Sequence, residues 1–290
     1  MRENEVIIVN SIPDEEYDKI IINSVKYAII SLPFTIDRME LKNIYDRIRN
    51  IAKGKIAEGV FNFFCKANRI NVDDSQCVTP FFKRDRRDFI LSNYEWDIKN
   101  NFVKHPGQLF SGNYTELPAL IPNRYKHDQW SKRDELFHDG LKGVRFLFSF
   151  MKKRTIYAIE LSNKQQNFVR RLYKRFQGHP QDNMPFSIKD FWEIMKDKNE
   201  GKEFEVKIVD RPYLVITGYA GQKEFGLFRE HDKYSSYLKG AFRTKINNQG
   251  TLIRNLPSFA SLFPHLKNGL IFGEFRDKQP RYSRYSAAKR

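Results

Sequence analysis

The sequence predicts a folded protein of mixed α/β (α+β) class, because helical and strand patterns both occur along one chain. Apolar residues recur with the three-and-four spacing of a buried helical stripe at Leu41, Ile44, Tyr45, Ile48 and Ile51. Residues 88–99 alternate in polarity on both sides of Ser92 and Asn93, which is typical of a tight hairpin. Aromatic residues make up 14% of the chain, too many for a disordered basic segment.

The N-terminal elements are predicted to be mostly helical from Pro13 to Asn68. Asp37 is a plausible N-cap for a helix that begins near Arg38, and Gly54 is expected to separate that helix from a second one. The second helix would direct its apolar residues towards a core and leave Lys55 and Glu58 on another face.

The later elements are predicted to include strands at 144–150 and 155–161, although the first could also be helical, and a basic helix at 164–175. Three further extended segments at 203–210, 213–218 and 270–275 suggest a small mixed sheet. We therefore expect residues 1–165 to form a helical N-terminal region with a catalytic core, and residues 166–290 to form a C-terminal extension packed on the same core.

The charge balance predicts a polyanionic partner. The chain of 290 residues has 51 Lys and Arg against 35 Asp and Glu, a net charge of +16 and an isoelectric point near 9.7. Charge alone would also fit RNA, a ribosome or an acidic membrane surface. No apolar run reaches the roughly 18 residues of a membrane span, and the N-terminus lacks a signal-peptide pattern, so a cytoplasmic protein is expected.

The hairpin carries the most informative pattern in the chain. With a two-residue turn, Asp88 would lie opposite Asp97, and both would share one face with Glu95 and Lys99. Opposed carboxylates repel each other, so this pairing needs a cation or a proton to be tolerated. Asp85 lies three residues before Asp88, and the period of two predicts that it faces the other way.

These residue types suit cleavage of a phosphodiester bond. A metal ion neutralises the developing charge and lowers the pKa of a bound water, and Mg²⁺ prefers carboxylate oxygens. Asp88 and Asp97 are the predicted Mg²⁺ ligands, and Lys99 is predicted to bind the scissile phosphate and orient the attacking water. Glu58 is the best third carboxylate for catalysis and metal binding, although a solvated pair with Lys55 explains it nearly as well.

The spacing of Asp88, eight intervening residues, and then Asp97-Ile98-Lys99 resembles the active site of the PD-(D/E)XK nuclease superfamily. The resemblance covers roughly residues 55–101, and Arg87 stands where many members have proline before the first acid. Within that superfamily the chain is most similar to a type II restriction endonuclease. The resemblance implies a central mixed β-sheet flanked by helices, Mg²⁺ dependence, and a homodimer that cuts double-stranded DNA at a short palindromic site.

Contacts to DNA are expected from basic and amide side chains. The predicted phosphate clamp is a cluster beside the metal site, formed by Lys83, Arg84, Arg86 and Arg87. A solvated basic edge strand would give the same cluster. Donor geometry also allows Asn100, Asn101, Gln108 and Arg124 to contact the DNA or its bases.

Two other functions remain open from the sequence. A structure-selective repair or junction nuclease would use the same catalytic residues, and a non-catalytic nucleic-acid binder would stack bases on aromatic side chains beside a basic groove. A nucleotide cofactor is not expected because no phosphate-binding glycine motif occurs. The two cysteines and scattered histidines give no zinc-site spacing.

Overall fold

The structure is a computed structural model that describes residues 1–41, 43–103, 113–152, 154–196, 204–240 and 242–276. The fold is mixed α+β, with a mixed sheet flanked by helices, as the sequence predicts. The helices of the described ranges are α1 (Asp14–Ser31), α2 (Ile44–Ala67), α3 (Asn163–Phe176) and α4 (Ile188–Met195). The strands are β1 (Ile7–Val9), β2 (Phe89–Leu91), β3 (Tyr94–Val103), β4 (Pro118–Pro122), β5 (Val144–Lys152), β6 (Tyr157–Glu160), β7 (Glu205–Ile208), β8 (Leu214–Ala220), β9 (Arg229–His231), β10 (Ser236–Tyr237), β11 (Phe242–Arg243), β12 (Asn248–Leu252) and β13 (Gly273–Phe275).

The central sheet has six strands in the order β13-β1-β8-β5-β3-β2. Strands β3 and β5 are parallel, with Asp97 beside Phe146 and Lys99 beside Phe148, and the other neighbours in this sheet are antiparallel. Strands from both predicted segments, 1–165 and 166–290, therefore lie in this one sheet. Three smaller sheets pair β4-β12-β9, β6-β7 and β10-β11.

Helix α2 begins later and runs further than the sequence pattern predicts. Its N-cap is Asn43, whose side chain accepts a hydrogen bond from the Tyr45 N–H at 2.9 Å, so the prediction that Asp37 caps the helix was wrong. The helix also continues through Gly54. A glycine inside a helix costs only about 1 kcal/mol, which the buried residues on both sides of Gly54 outweigh.

Close packing of α1 on α2 depends on one small residue. A Cβ atom added at Gly59 would lie 2.7 Å from a methyl carbon of Ile20, so only glycine allows the two helices to approach this closely. The buried faces of α1 and α2 then cover one side of the sheet, where Phe61 stacks on Phe89 with ring centroids 5.0 Å apart.

The other side of the sheet is also buried, which the sequence pattern does not predict. Phe146, Phe148 and Phe150 of β5 form a second core with Ala119 and Ile121 of β4. As a result, the side of β3 that carries the predicted catalytic residues is enclosed, and Glu95, Asp97 and Lys99 are all buried. In the described ranges, none of the helices has the length and apolar character required to cross a membrane.

Candidate metal centre and basic cleft

The predicted hairpin is present, and the three residue pairs nearest the turn follow from the predicted two-residue turn. Ser92 and Asn93 form the turn with φ angles of 53° and 63°, the left-handed conformation that matches the twist of a two-residue hairpin. The ladder pairs Phe89 with Trp96, Ile90 with Glu95 and Leu91 with Tyr94.

The ladder does not extend to Asp88 and Asp97, so the direct opposition expected for these acids was wrong. The Asp88 N–H donates to the Trp96 carbonyl oxygen at 2.8 Å, although Trp96 is already the partner of Phe89. The Asp88 carboxylate instead accepts the Ile98 N–H at 2.5 Å. Strand β2 pairs only with residues 94–96 of β3, so none of the described strands accepts the Ile98 N–H on that side. The Asp88 carboxylate satisfies this backbone donor instead.

Three carboxylates converge beside this edge. One oxygen each from Glu58, Asp85 and Asp88 lies within 4.8 Å of the others, the one such group of potential metal ligands in the described residues. Glu58 projects from α2, and the other two acids belong to the segment that leads into β2. The expectation that Asp85 points away was wrong, because residue 85 precedes the strand and does not follow its two-residue period.

Lys55 lies against two of these acids. Its Nζ is 2.7 Å from Glu58 and 2.8 Å from Asp85, so the predicted alternative of a Lys55–Glu58 pair is present, but as part of the cluster. The side chains of Lys55 and Glu58 are each 23% exposed.

The repulsion within this cluster would be relieved by a proton or a cation. Burial raises the pKa of the Asp88 carboxyl well above its usual value, and repulsion from Glu58 and Asp97 raises this pKa further. Burial also raises the pKa of Glu58, although the nearby Lys55 ammonium acts in the opposite direction. The three carboxylates could hold a divalent ion, because carboxylate oxygens are suitable ligands for a hard cation such as Mg²⁺.

Asp97 and Lys99 form an ion pair on β3, as their spacing predicts. Lys99 is 8% exposed, and its ammonium lies 5.2 Å from the centre of the Phe146 ring. Asp97 lines the neighbouring cleft, but it does not belong to the three-carboxylate group. Its role as a metal ligand stays a prediction, as does the contact of Lys99 with the scissile phosphate.

The acids adjoin a basic cleft of about 560 Å³ between α2, the 34–41 segment, the 83–87 segment and the 122–137 segment. Its lining includes the carboxylates of Asp37, Glu58, Asp85, Asp97 and Glu135. The basic side chains in the lining are more numerous: Arg38, Arg47, Lys55, Lys83, Arg84, Arg86, Arg87 and Lys132. The excess of positive charge suits a polyanionic ligand.

The four predicted clamp residues differ in their surroundings. Lys83, Arg84 and Arg86 are exposed, whereas Arg87 is only 5% exposed. Arg87 donates from Nη2 to the carbonyl oxygens of Glu135 at 2.8 Å and Lys132 at 3.3 Å. It is therefore held by the protein itself.

The other predicted DNA contacts lie around these elements. The Asn100 Oδ1 atom accepts a hydrogen bond from the Ser149 hydroxyl at 3.1 Å, and Asn101 is half-buried on the same strand. Arg124 donates to the Glu40 carboxylate and the Arg38 carbonyl oxygen, so it links two walls of the cleft. Gln108 lies outside the described residues.

Sequence reasoning missed Glu95, which is fully buried on β3. Its carboxylate accepts the Phe137 and His138 N–H groups at 2.7 and 2.8 Å and lies 2.8 Å from the His138 ring Nδ1. Strand alternation places Glu95 on the same face as Asp97, but this local pattern does not reveal the segment that covers it. The chain matches no family model, no curated protein and no solved structure.

Proposed function

We propose that the protein is a Mg²⁺-dependent endodeoxyribonuclease that cuts double-stranded DNA. The observation that carries this proposal is the convergence of Glu58, Asp85 and Asp88 beside the Asp97–Lys99 pair and a basic cleft. We propose further that its core is of the PD-(D/E)XK type and that it acts as a homodimeric type II restriction enzyme at a short palindromic site. The dimer and the palindrome rest on the sequence resemblance alone.

Glu58 and Asp88 are the proposed metal ligands that sequence pattern and geometry both select. The third carboxylate is Asp85 by geometry and Asp97 by sequence pattern. When bound, Mg²⁺ neutralises charge on the phosphoryl group and lowers the pKa of a coordinated water.

The protein side chains supply the remaining parts of the mechanism. Asp97 fixes the Lys99 ammonium through their ion pair, and Lys99 is proposed to orient the attacking water beside the acids. The exposed cations Lys83, Arg84 and Arg86 are proposed to hold the DNA backbone along the cleft, where each neutralised phosphate strengthens binding.

Plasmid digestion tests this function. Wild-type protein with Mg²⁺ should cut a plasmid of known sequence into discrete bands, and EDTA should stop the reaction. Asp88→Asn, Glu58→Gln and Lys99→Gln should each abolish cutting while DNA binding persists. Asp134→Asn is the matched control, because Asp134 is an exposed carboxylate outside the cluster.

The same assay separates the third metal ligand and the alternative functions. Asp97→Asn should slow cutting in either case, because Asp97 fixes Lys99, so the third ligand is identified from the Mg²⁺ concentration that cutting requires. A higher Mg²⁺ requirement in Asp85→Asn than in Asp97→Asn selects the geometric triad, and the reverse selects the sequence triad. Cutting only at junctions or flaps would indicate a structure-selective nuclease. DNA binding without any metal-dependent cutting would reject the nuclease and leave a binding protein.

A further inference from the structure

We infer that Arg87 is a positioning residue that acts through Asp97 and does not contact DNA phosphates. This inference rests on the proposed nuclease function. Arg87 is given a different role from Lys83, Arg84 and Arg86, because its guanidinium is buried whereas those three side chains are exposed.

The Arg87 guanidinium is enclosed by partners from three parts of the chain. Its Nε lies 3.3 Å from the Glu95 carboxylate, and its Nη1 lies 3.7 Å from the Asp97 carboxylate. Its Nη2 donates to the Glu135 and Lys132 carbonyl oxygens. The Phe137 and Phe146 rings lie 5.1 and 5.9 Å away, so the charge is shielded from solvent.

Glu95 completes this arrangement from β3. It is 0% exposed and accepts two backbone N–H groups from residues 137 and 138. A fully buried carboxylate requires a compensating cation, and Arg87 is the arginine beside it. Together, Arg87 and Glu95 attach the 132–138 wall of the cleft to strand β3.

Asp97 lies between two cations as a consequence. Lys99 pairs with one oxygen, and Arg87 approaches the other. Contacts on both oxygens restrict rotation of the carboxylate, so Asp97 can hold the Lys99 ammonium in a fixed place. Replacing a residue that orients a metal ligand or a catalytic group typically lowers metal affinity or activity by about 10- to 100-fold.

Arg86 provides a matched comparison one residue away. It is exposed and lines the same cleft, whereas Arg87 is almost fully buried. Each phosphate contact contributes about 0.9 to the slope of log binding constant against log salt concentration. Replacing Arg86 should therefore reduce the slope by about that amount, and replacing Arg87 should leave it unchanged.

The experiment compares Arg87→Met and Arg87→Lys with Arg86→Met and Arg86→Lys. Binding to a plasmid fragment is measured at several salt concentrations in Ca²⁺ without Mg²⁺, and single-turnover cleavage is measured at saturating protein over a Mg²⁺ titration. We expect Arg87→Met to bind DNA within about twofold of wild type and to cleave about 10- to 100-fold more slowly. Arg87→Lys should recover part of the rate, because lysine restores the charge but not the two carbonyl contacts.

A second variant guards against a folding defect. Arg87→Met alone leaves Glu95 buried without its cation, whereas Arg87→Met with Glu95→Gln removes both charges and keeps an acceptor for the two N–H groups. If the single variant does not fold, the double variant should fold, bind DNA with the wild-type salt slope and show the same loss of cleavage rate.

The inference would be overturned by a salt slope that falls in Arg87→Met as it does in Arg86→Met. It would also be overturned by an unchanged cleavage rate in a folded Arg87 variant. A wild-type protein that never cleaves DNA would reject the proposed function together with this inference, whereas wild-type cleavage with either result above would reject the inference alone.

Discussion

Neutralising Asp88 should stabilise the metal-free protein while abolishing its proposed activity. The perturbation is Asp88→Asn, which keeps an oxygen to accept the Ile98 N–H but removes one charge from the cluster. One oxygen of Glu58 lies within 4.8 Å of one oxygen of Asp88. Two negative unit charges at that distance repel each other by roughly 3.5 kcal/mol at an effective dielectric constant of about 20. Lys55 already offsets part of this repulsion, so we expect a net gain of about 0.5–2 kcal/mol in the free energy of unfolding.

The gain should depend on pH in a defined direction. Burial and repulsion raise the folded-state pKa of Asp88 above its unfolded value of about 3.9. The native wild-type protein therefore binds the proton more tightly than the unfolded chain. Its stability relative to Asp88→Asn is highest below the unfolded pKa and falls as the pH rises through the folded-state pKa.

Urea unfolding in EDTA and in Mg²⁺ measures this effect. In EDTA at pH 7, Asp88→Asn should unfold at a higher urea concentration than wild type, and Asp134→Asn should not. In Mg²⁺ the order should reverse, because an ion at 100 times its Kd stabilises the protein that binds it by about 2.7 kcal/mol. A less stable Asp88→Asn in EDTA, or equal Mg²⁺ responses from wild type and variant, would refute the electrostatic reasoning.

Further predictions concern the thiols, the turn and the core. Burial raises the pKa of the Cys77 thiol to about 12 and raises the pKa of the Cys65 thiol well above its usual value. Neither thiol should therefore react with a disulfide reagent at pH 8 until urea unfolds the protein. Rapid reaction of the native protein would contradict this prediction. Ser92→Gly should stabilise the protein by about 0.4–1 kcal/mol in thermal unfolding, because glycine adopts the positive φ at this turn without a steric cost. A lower Tm would show that the serine side chain contributes more than the turn geometry. Phe61→Ala should cost about 3–5 kcal/mol in urea unfolding, because it leaves a cavity beside Phe89; a loss below 1 kcal/mol would mean that the core closes around the gap.

The parts of this protein that the sequence determined are local. Ser92 and Asn93 fix a two-residue turn, and with the turn fixed, the alternation of apolar residues sets the register of β2 against β3. The adjacency of Asp97 and Lys99 follows from the same period of two. The strands β5 to β8 and the helix α3 were also predicted near their positions, because each has its own periodic pattern.

Tertiary structure decided which of these residues meet. Asp85 joins Glu58 and Asp88 because the segment before β2 leaves the strand and approaches α2, a path that no two-residue period describes. Glu95 and Arg87 become buried because the 132–138 segment and β4 cover the face of the sheet that carries the charged residues of β3. A periodic pattern specifies the direction of a side chain within its own element, whereas burial and ion pairing depend on elements that are distant in the chain and adjacent only after folding.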